Sequence, residues 1–186
     1  MDHFDLIAPF YDRLFHVPHP EKLVEILALP TSGALLDAGG GTGRVAHTLK
    51  PYARQVVVAD VSRGMCAQAA AKEHLQALCA PSEQLPFADH TFERILMVDA
   101  LHHVHHAPTT AQELWRVLKP GGRLVIEEPD VRKFYVKIVA LLEKLALMRS
   151  HFYSPPRIAA FFTGTGARTS IVQDAYTAWI IAEKPL

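Results

Sequence analysis

The chain has 186 residues, 49% of them hydrophobic, and 19 Lys and Arg balance 19 Asp and Glu to a formal net charge of zero. That length and apolar content suit one domain with a sizeable core, and the balanced charge argues against nucleic acid or an anionic membrane held by bulk charge. Two cysteines, Cys66 and Cys79, imply no disulfide framework and fit a reducing cytoplasm; the polar, acidic start argues against a signal peptide, and no stretch is long and apolar enough to span a bilayer.

Phe4, Leu6, Ile7, Phe10, Tyr11, Leu14 and Phe15 recur at roughly helical spacing, with Pro9 at a start or kink. Glu21 to Leu29 reads as a short amphipathic helix stopped by Pro30, so residues 1–30 are expected to form an N-terminal helical cap. Ala34-Leu35-Leu36 reads as the end of a buried strand, with Asp37 at its carboxyl edge. Four glycines then fall within residues 39–43, and a helix runs from Arg44 to near Pro51. Gln55 to Asp60 is a second strand, β-branched and closed by an acid. Ser62 caps a helix expected to continue to about Leu75, and Leu78-Cys79-Ala80 is a short third strand. A loop over Pro81 to His90 leads to a fourth strand, Ile95 to Val98. A helix from Thr109 to Leu118, a turn at Lys119 to Gly122 and a fifth strand, Arg123 to Glu128, follow. Arg132 to Arg149 reads as one helix whose apolar stripe is wider than a covering helix needs. Thr169 to Asp174 and Tyr176 to Glu183 are consecutive strands with almost no connection, so they must be antiparallel. Strands alternating with helices predict a parallel sheet with right-handed crossovers, broken only at this final pair.

The strand, glycine turn and helix around Asp37 let backbone approach a ligand closely, and the helix start adds free N–H donors. Gly41-Thr42-Gly43-Arg44-Val45-Ala46 fits the dinucleotide fingerprint. Asp37, inside the motif, suits a cationic ligand group better than a pyrophosphate. Read as LLDAGGGTG, the stretch resembles the first motif of class I S-adenosylmethionine-dependent methyltransferases. VVVADVS resembles the second motif, SEQLPFADHTFERILMVDALHHV the third and fourth strands with their loop, and RVLKPGGRLVIEEP the run into the fifth strand. The phrase FDLIAPFYD is similar to the opening helix of methyltransferases of ubiquinone and menaquinone biosynthesis. Together these identify the chain as a member of the methyltransferase type 11 group.

The resemblance implies a Rossmann-like α/β sandwich: a mostly parallel seven-stranded sheet with an antiparallel C-terminal strand, in a single domain over residues 1–186. It implies S-adenosylmethionine as methyl donor, S-adenosylhomocysteine as product, and a small, partly apolar acceptor. Asp37 would hold the donor's ammonium, and Gly39, Gly41 and Gly43 would let backbone pass its methionine part. Asp60 would accept from the ribose hydroxyls, and Val61 and Met65 would flank the adenine. Ser82 and Glu83 would approach the adenine edge, where relatives often carry an acid and this chain has Pro81. Asp99, His102 and His103 would border the reacting methyl group, either histidine being a candidate base. Phe10, Tyr11 and Phe134 are expected at the acceptor, the first helix and Arg132 to Arg149 forming an apolar lid. The histidines at 102, 103, 105 and 106 are expected to hold no metal. No nucleic-acid partner is expected, and a homodimer is one option. A non-catalytic S-adenosylmethionine-binding protein and a nicotinamide-dependent oxidoreductase are the alternatives.

Overall fold

Successive residues of the central strands face opposite sides of one sheet, and the sequence supplies apolar side chains for both. A computed structural model describes residues 20–133, 136–137 and 150–186. After a first helix, Pro20–Ile26 (α1), the chain runs through strand Thr31–Ala38 (β1), helix Arg44–Leu49 (α2) and strand Ala53–Asp60 (β2). Helix Arg63–Ala70 (α3), strand Gln76–Cys79 (β3) and strand Phe92–Val98 (β4) follow. Helix Ala107–Val117 (α4), strand Leu118–Pro129 (β5), helix Pro155–Ala159 (α5) and strands Arg168–Asp174 (β6) and Thr177–Glu183 (β7) complete the described residues.

The sheet has seven strands in the order β3-β2-β1-β4-β5-β7-β6. β1, β2, β3, β4 and β5 pair in parallel, β7 lies antiparallel to both β5 and β6, and β6 therefore points with the rest. This is the expected fold. Leu36, Val57, Ile95, Leu124 and Ile180 send side chains to one face, against Leu114 of α4 and Ile158 of α5. Leu35, Val56, Leu96, Val125 and Ile181 go to the other, against Leu23 of α1 and Val45 and Leu49 of α2. A strand that is covered on both faces needs an apolar residue at nearly every position, which is why β1, β4 and β5 read as apolar runs rather than alternations.

Two sequence expectations need adjustment. The helix capped by Ser62 ends at Ala70, short of Leu75. The following residues turn instead: Lys72 Nζ donates to the Thr42 carbonyl at 2.7 Å, and His74 takes a positive φ. The turn at Lys119 to Gly122 is an irregularity within β5, which passes from Leu118 to Arg123 while its partner β4 passes from Phe92 to Arg94. The expected cap over residues 1–30 and the helix over 132–149 fall largely outside the described residues; within them, α1 packs beside α2. Among the described residues no helix is long and apolar enough to cross a membrane.

The order of strands reverses between β1 and β4, the first crossing over to β2 on one side and β4 leading to β5 on the other. A crevice opens outside the carboxyl ends of strands at such a point, because the loops that follow them diverge to opposite faces.

Candidate functional site

The crevice is a cleft of about 980 Å³, counted to its open mouth, and its walls come from the loops after β1, β2, β3 and β4. Its floor is the glycine loop. Gly41 has φ +55°, in the left-handed region, and a Cβ there would meet only the Met65 sulfur at 3.8 Å, so its other side is cleft. Gly43 has a different task. It has φ +72°, and a Cβ there would stand 2.8 Å from Leu75 Cδ1 and 3.2 Å from Ala69 Cβ. Gly43 thus lets α3 and its following turn close under the loop, and it does not line the cleft.

Asp60 ties this floor to the wall. Its Oδ2 accepts from the Gly41 amide at 2.9 Å and its Oδ1 from the Ser62 amide at 2.8 Å. The carboxylate stands at the cleft wall, where an acceptor-only group can also meet a ligand's hydroxyls. Ser62 Oγ in turn accepts from the Met65 amide, starting α3 with Met65 buried against the cleft. Val61 beside it is 63% exposed, an apolar side chain held on the cleft's lip.

At the other end lies an unbalanced pair of charges. Asp37 is 1% exposed, and neither of its carboxylate oxygens makes a hydrogen bond of full geometry. Burial pushes its pKa up to about 7; the Ala46 amide lowers it in part, the Asp60 charge raises it further, and Arg44 lowers it. Arg44, on the first turn of α2, has Nε and Nη1 buried without a hydrogen-bond partner. Both side chains line the cleft. Unpartnered buried polar atoms of opposite sign facing one cavity are destabilising unless a ligand completes them.

The turn after β4 forms the third wall. Glu128, at the end of β5, accepts from the Leu101 amide at 2.8 Å and from His102 Nδ1 at 2.6 Å. The His102 ring stacks on Phe152 at 4.4 Å between centroids, and its carbonyl accepts from the His151 amide. His102 is therefore a buried strut behind the wall rather than part of a polar loop, and it does not line the cleft. His103 does. Its Nδ1 lies 3.3 Å from Ser150 Oγ, and burial, then the neighbouring His102, lowers its pKa to about 4. Leu101 to His103 form a single turn of 3-10 helix and His106 caps α4, so His102 and His106 do not share a helical face. Among the described residues no three His, Cys, Asp or Glu side chains converge to hold a metal.

Of the residues singled out in the sequence, Asp37, Gly39, Gly41, Asp60, Val61, Met65, Ser82, Glu83, Asp99 and His103 meet around this one cleft. Glu83 lines it but spends its Oε1 on the amides of His105 and His106, at 2.7 and 3.1 Å. Gly43 and His102 support the walls from outside. Phe10, Tyr11 and Phe134 lie outside the described residues. Arg44 is the residue the sequence reading passed over; its position one residue after the glycine turn, on the same helix start, was the available signal. Glu127, behind the cleft, accepts from Trp179 Nε1 at 2.8 Å. Burial pushes its pKa up to about 7, with the Trp179 bond lowering it and Asp99 and Glu128 raising it.

The family described as Methyltransferase domain matches residues 36–126. The chain is 37% identical over 139 residues to the ubiquinone/menaquinone biosynthesis C-methyltransferase UbiE of Syntrophotalea carbinolica, covering 67% of this chain and 59% of that one. It is 35% identical over 157 residues to the demethylmenaquinone methyltransferase of Clavibacter sepedonicus, covering 74% and 64%. The chain thus spans less than two thirds of the length of these relatives. Among solved structures, the YcgJ protein of Bacillus subtilis superposes with a TM-score of 0.80 at 17% identity, covering 90% of this chain and 98% of that one. An S-adenosylmethionine-dependent methyltransferase of Thermotoga maritima superposes with a TM-score of 0.80 at 22% identity, covering 97% and 98%.

Proposed function

We propose that this chain, which belongs to the methyltransferase-domain family, moves a methyl group from S-adenosylmethionine to a small, partly apolar acceptor. The observation that carries the reading is the pair Asp37 and Arg44. A buried carboxylate whose oxygens make no full hydrogen bond and a half-buried guanidinium with Nε and Nη1 unbonded, both lining one cleft, together fit the ammonium and carboxylate of an α-amino acid. A dinucleotide offers no ammonium to Asp37. Asp60, on the cleft wall, then accepts from the ribose hydroxyls, and Val61 and Met65 flank the base. Pro81 has neither a carboxylate nor an N–H, so the adenine edge falls to Ser82.

The donor, when bound, supplies a methyl group on a sulfonium that leaves by in-line displacement. The chain's own part is alignment, exclusion of water and, where the acceptor must lose a proton, a place for that proton. His103 is that place: it is uncharged at neutral pH and stands on the wall that follows β4. Its Nδ1 lies 3.3 Å from Ser150 Oγ, a contact that orients the ring in the wall. His102 is not a base in this reading but the support that holds His103 in the wall. The acceptor we favour is a quinone-precursor ring carbon, as the names of the relatives suggest. Free thiols at Cys66 and Cys79 suit a reducing cytoplasm.

Calorimetry tests the donor site. S-adenosylmethionine and its demethylated product should bind and NAD should not, and Arg44→Gln should weaken both by about 2 kcal/mol, the scale of a charged hydrogen bond. Preferential NAD binding would sink the reading. A screen of quinol precursors and other small acceptors with labelled methyl donor then tests catalysis; binding without any transfer would leave the non-catalytic alternative.

A further inference from the structure

The two edges of the sheet are built differently. β3 is four residues long, and shortness is one way a protein keeps an edge from pairing with another chain. β6 has no such protection. It is seven residues long, contains no proline, glycine or lysine, and pairs with β7 in unbroken register from Arg168↔Glu183 to Asp174↔Thr177. It carries β-branched Thr169, Ile171 and Val172. Six of its seven residues are exposed, Ile171 to 37%, and only Val172 is half-buried. Among the described strands nothing pairs with its outer side. A seven-residue edge in unbroken register with exposed β-branched residues is a template for a further strand.

The sequence of β6 says which strand fits. When two copies of Arg168–Asp174 lie antiparallel about a two-fold axis through Ile171, Arg168 of each faces Asp174 of the other. Thr169 faces Gln173, Ser170 faces Val172, and the two Ile171 side chains meet on the axis. Opposite charges directly across an antiparallel pair stabilise it, and like charges oppose it. A shift of two residues either way leaves Arg168 or Asp174 facing no residue of the partner strand. One register therefore satisfies the charges at both ends and the apolar contact at the centre. Arg168 is available for it, since its nearest acid is Glu183 at 3.8 Å with the guanidinium 79% exposed.

We propose that β6 is a homodimer interface, at which two copies join edge to edge into one continuous sheet. The pairing is isologous, as a two-fold dimer requires. β6 is four strands away from β1, roughly 20 Å at the usual spacing, so the cleft stays open in the dimer. The proposal does not depend on the assignment of the cleft.

Sedimentation velocity on the purified chain, from micromolar to several hundred micromolar, is the test. The wild type should sediment at twice the 20.6 kDa chain mass. Arg168→Asp puts like charges at both ends and should weaken the dimer about tenfold or more. The double variant Arg168→Asp with Asp174→Arg restores opposite charges in the same register and should recover it. Ile171→Lys should give monomer. Circular dichroism and the urea unfolding midpoint, both unchanged, would show that the variants fold. A monomeric wild type overturns the proposal. So does a dimer that tolerates Arg168→Asp, or a double variant that remains monomeric while folded.

Discussion

Burial holds Asp37 close to neutrality, and that makes its protonation a reporter of what fills the cleft. Its pKa is about 7 in the folded chain against an ordinary 3.8. The native state therefore binds more protons than the unfolded one between these values, and Asp37's contribution to stability falls as pH rises through that window. An ammonium group placed beside the carboxylate favours the ionised form and reverses the effect of burial. Donor binding at about pH 6 should then release close to one proton, measurable as a dependence of the binding enthalpy on the buffer's ionisation enthalpy. Asp37→Asn should abolish that release and weaken binding by roughly 1.5–3 kcal/mol. A variant that still releases the proton would move the linkage to another group, of which Glu127 is the first to suspect. Sequence made Asp37 conspicuous through its place before the glycines. It could not say that the carboxylate would be orphaned, because that depends on what the folded chain fails to bring near it.

At the scale of elements, the turn after β4 depends on β5. Glu128 holds the Leu101 amide and the His102 ring together, and His102 and His103 in turn receive His151 and Ser150 from the segment that follows the undescribed residues. Glu128→Ala removes two hydrogen bonds to a buried charged group and should lower stability by about 3 kcal/mol, read as the unfolding midpoint in urea. Glu128→Gln, which can keep one of them, should lose less; equal losses would mean that packing rather than the carboxylate holds the turn. The strands and their mostly parallel arrangement were legible because buried parallel strands are apolar over their central positions and alternate with helices, and the tight connection after Asp174 forced an antiparallel pair. The Glu128–His102 contact was not. It joins residues 26 apart across two strands, and nothing in four clustered histidines tells the fully buried His102 from the half-buried His103 or the exposed His105 and His106.

Across the whole molecule the charges cancel, but they do not cancel in the cleft. Among the described residues Asp60, Glu83, Asp99 and the half-ionised Asp37 line it with Arg44 as the one guanidinium, while the lowered pKa of His103 keeps it from adding a positive charge. That imbalance acts on turnover. In the proposed reaction the donor would enter with a sulfonium charge that the surplus of carboxylates attracts, and methyl transfer would remove it, so the spent cofactor would be held by less than the incoming one was. Product inhibition should accordingly be mild. Salt should raise the dissociation constant of S-adenosylmethionine more steeply than that of S-adenosylhomocysteine, because only the former has a net charge for the field to hold. Equal salt dependence of the two, measured by calorimetry between low and physiological ionic strength, would show that the carboxylates do not sense the sulfonium. Otherwise the same acidic lining that draws the donor in also lets the enzyme clear itself between cycles.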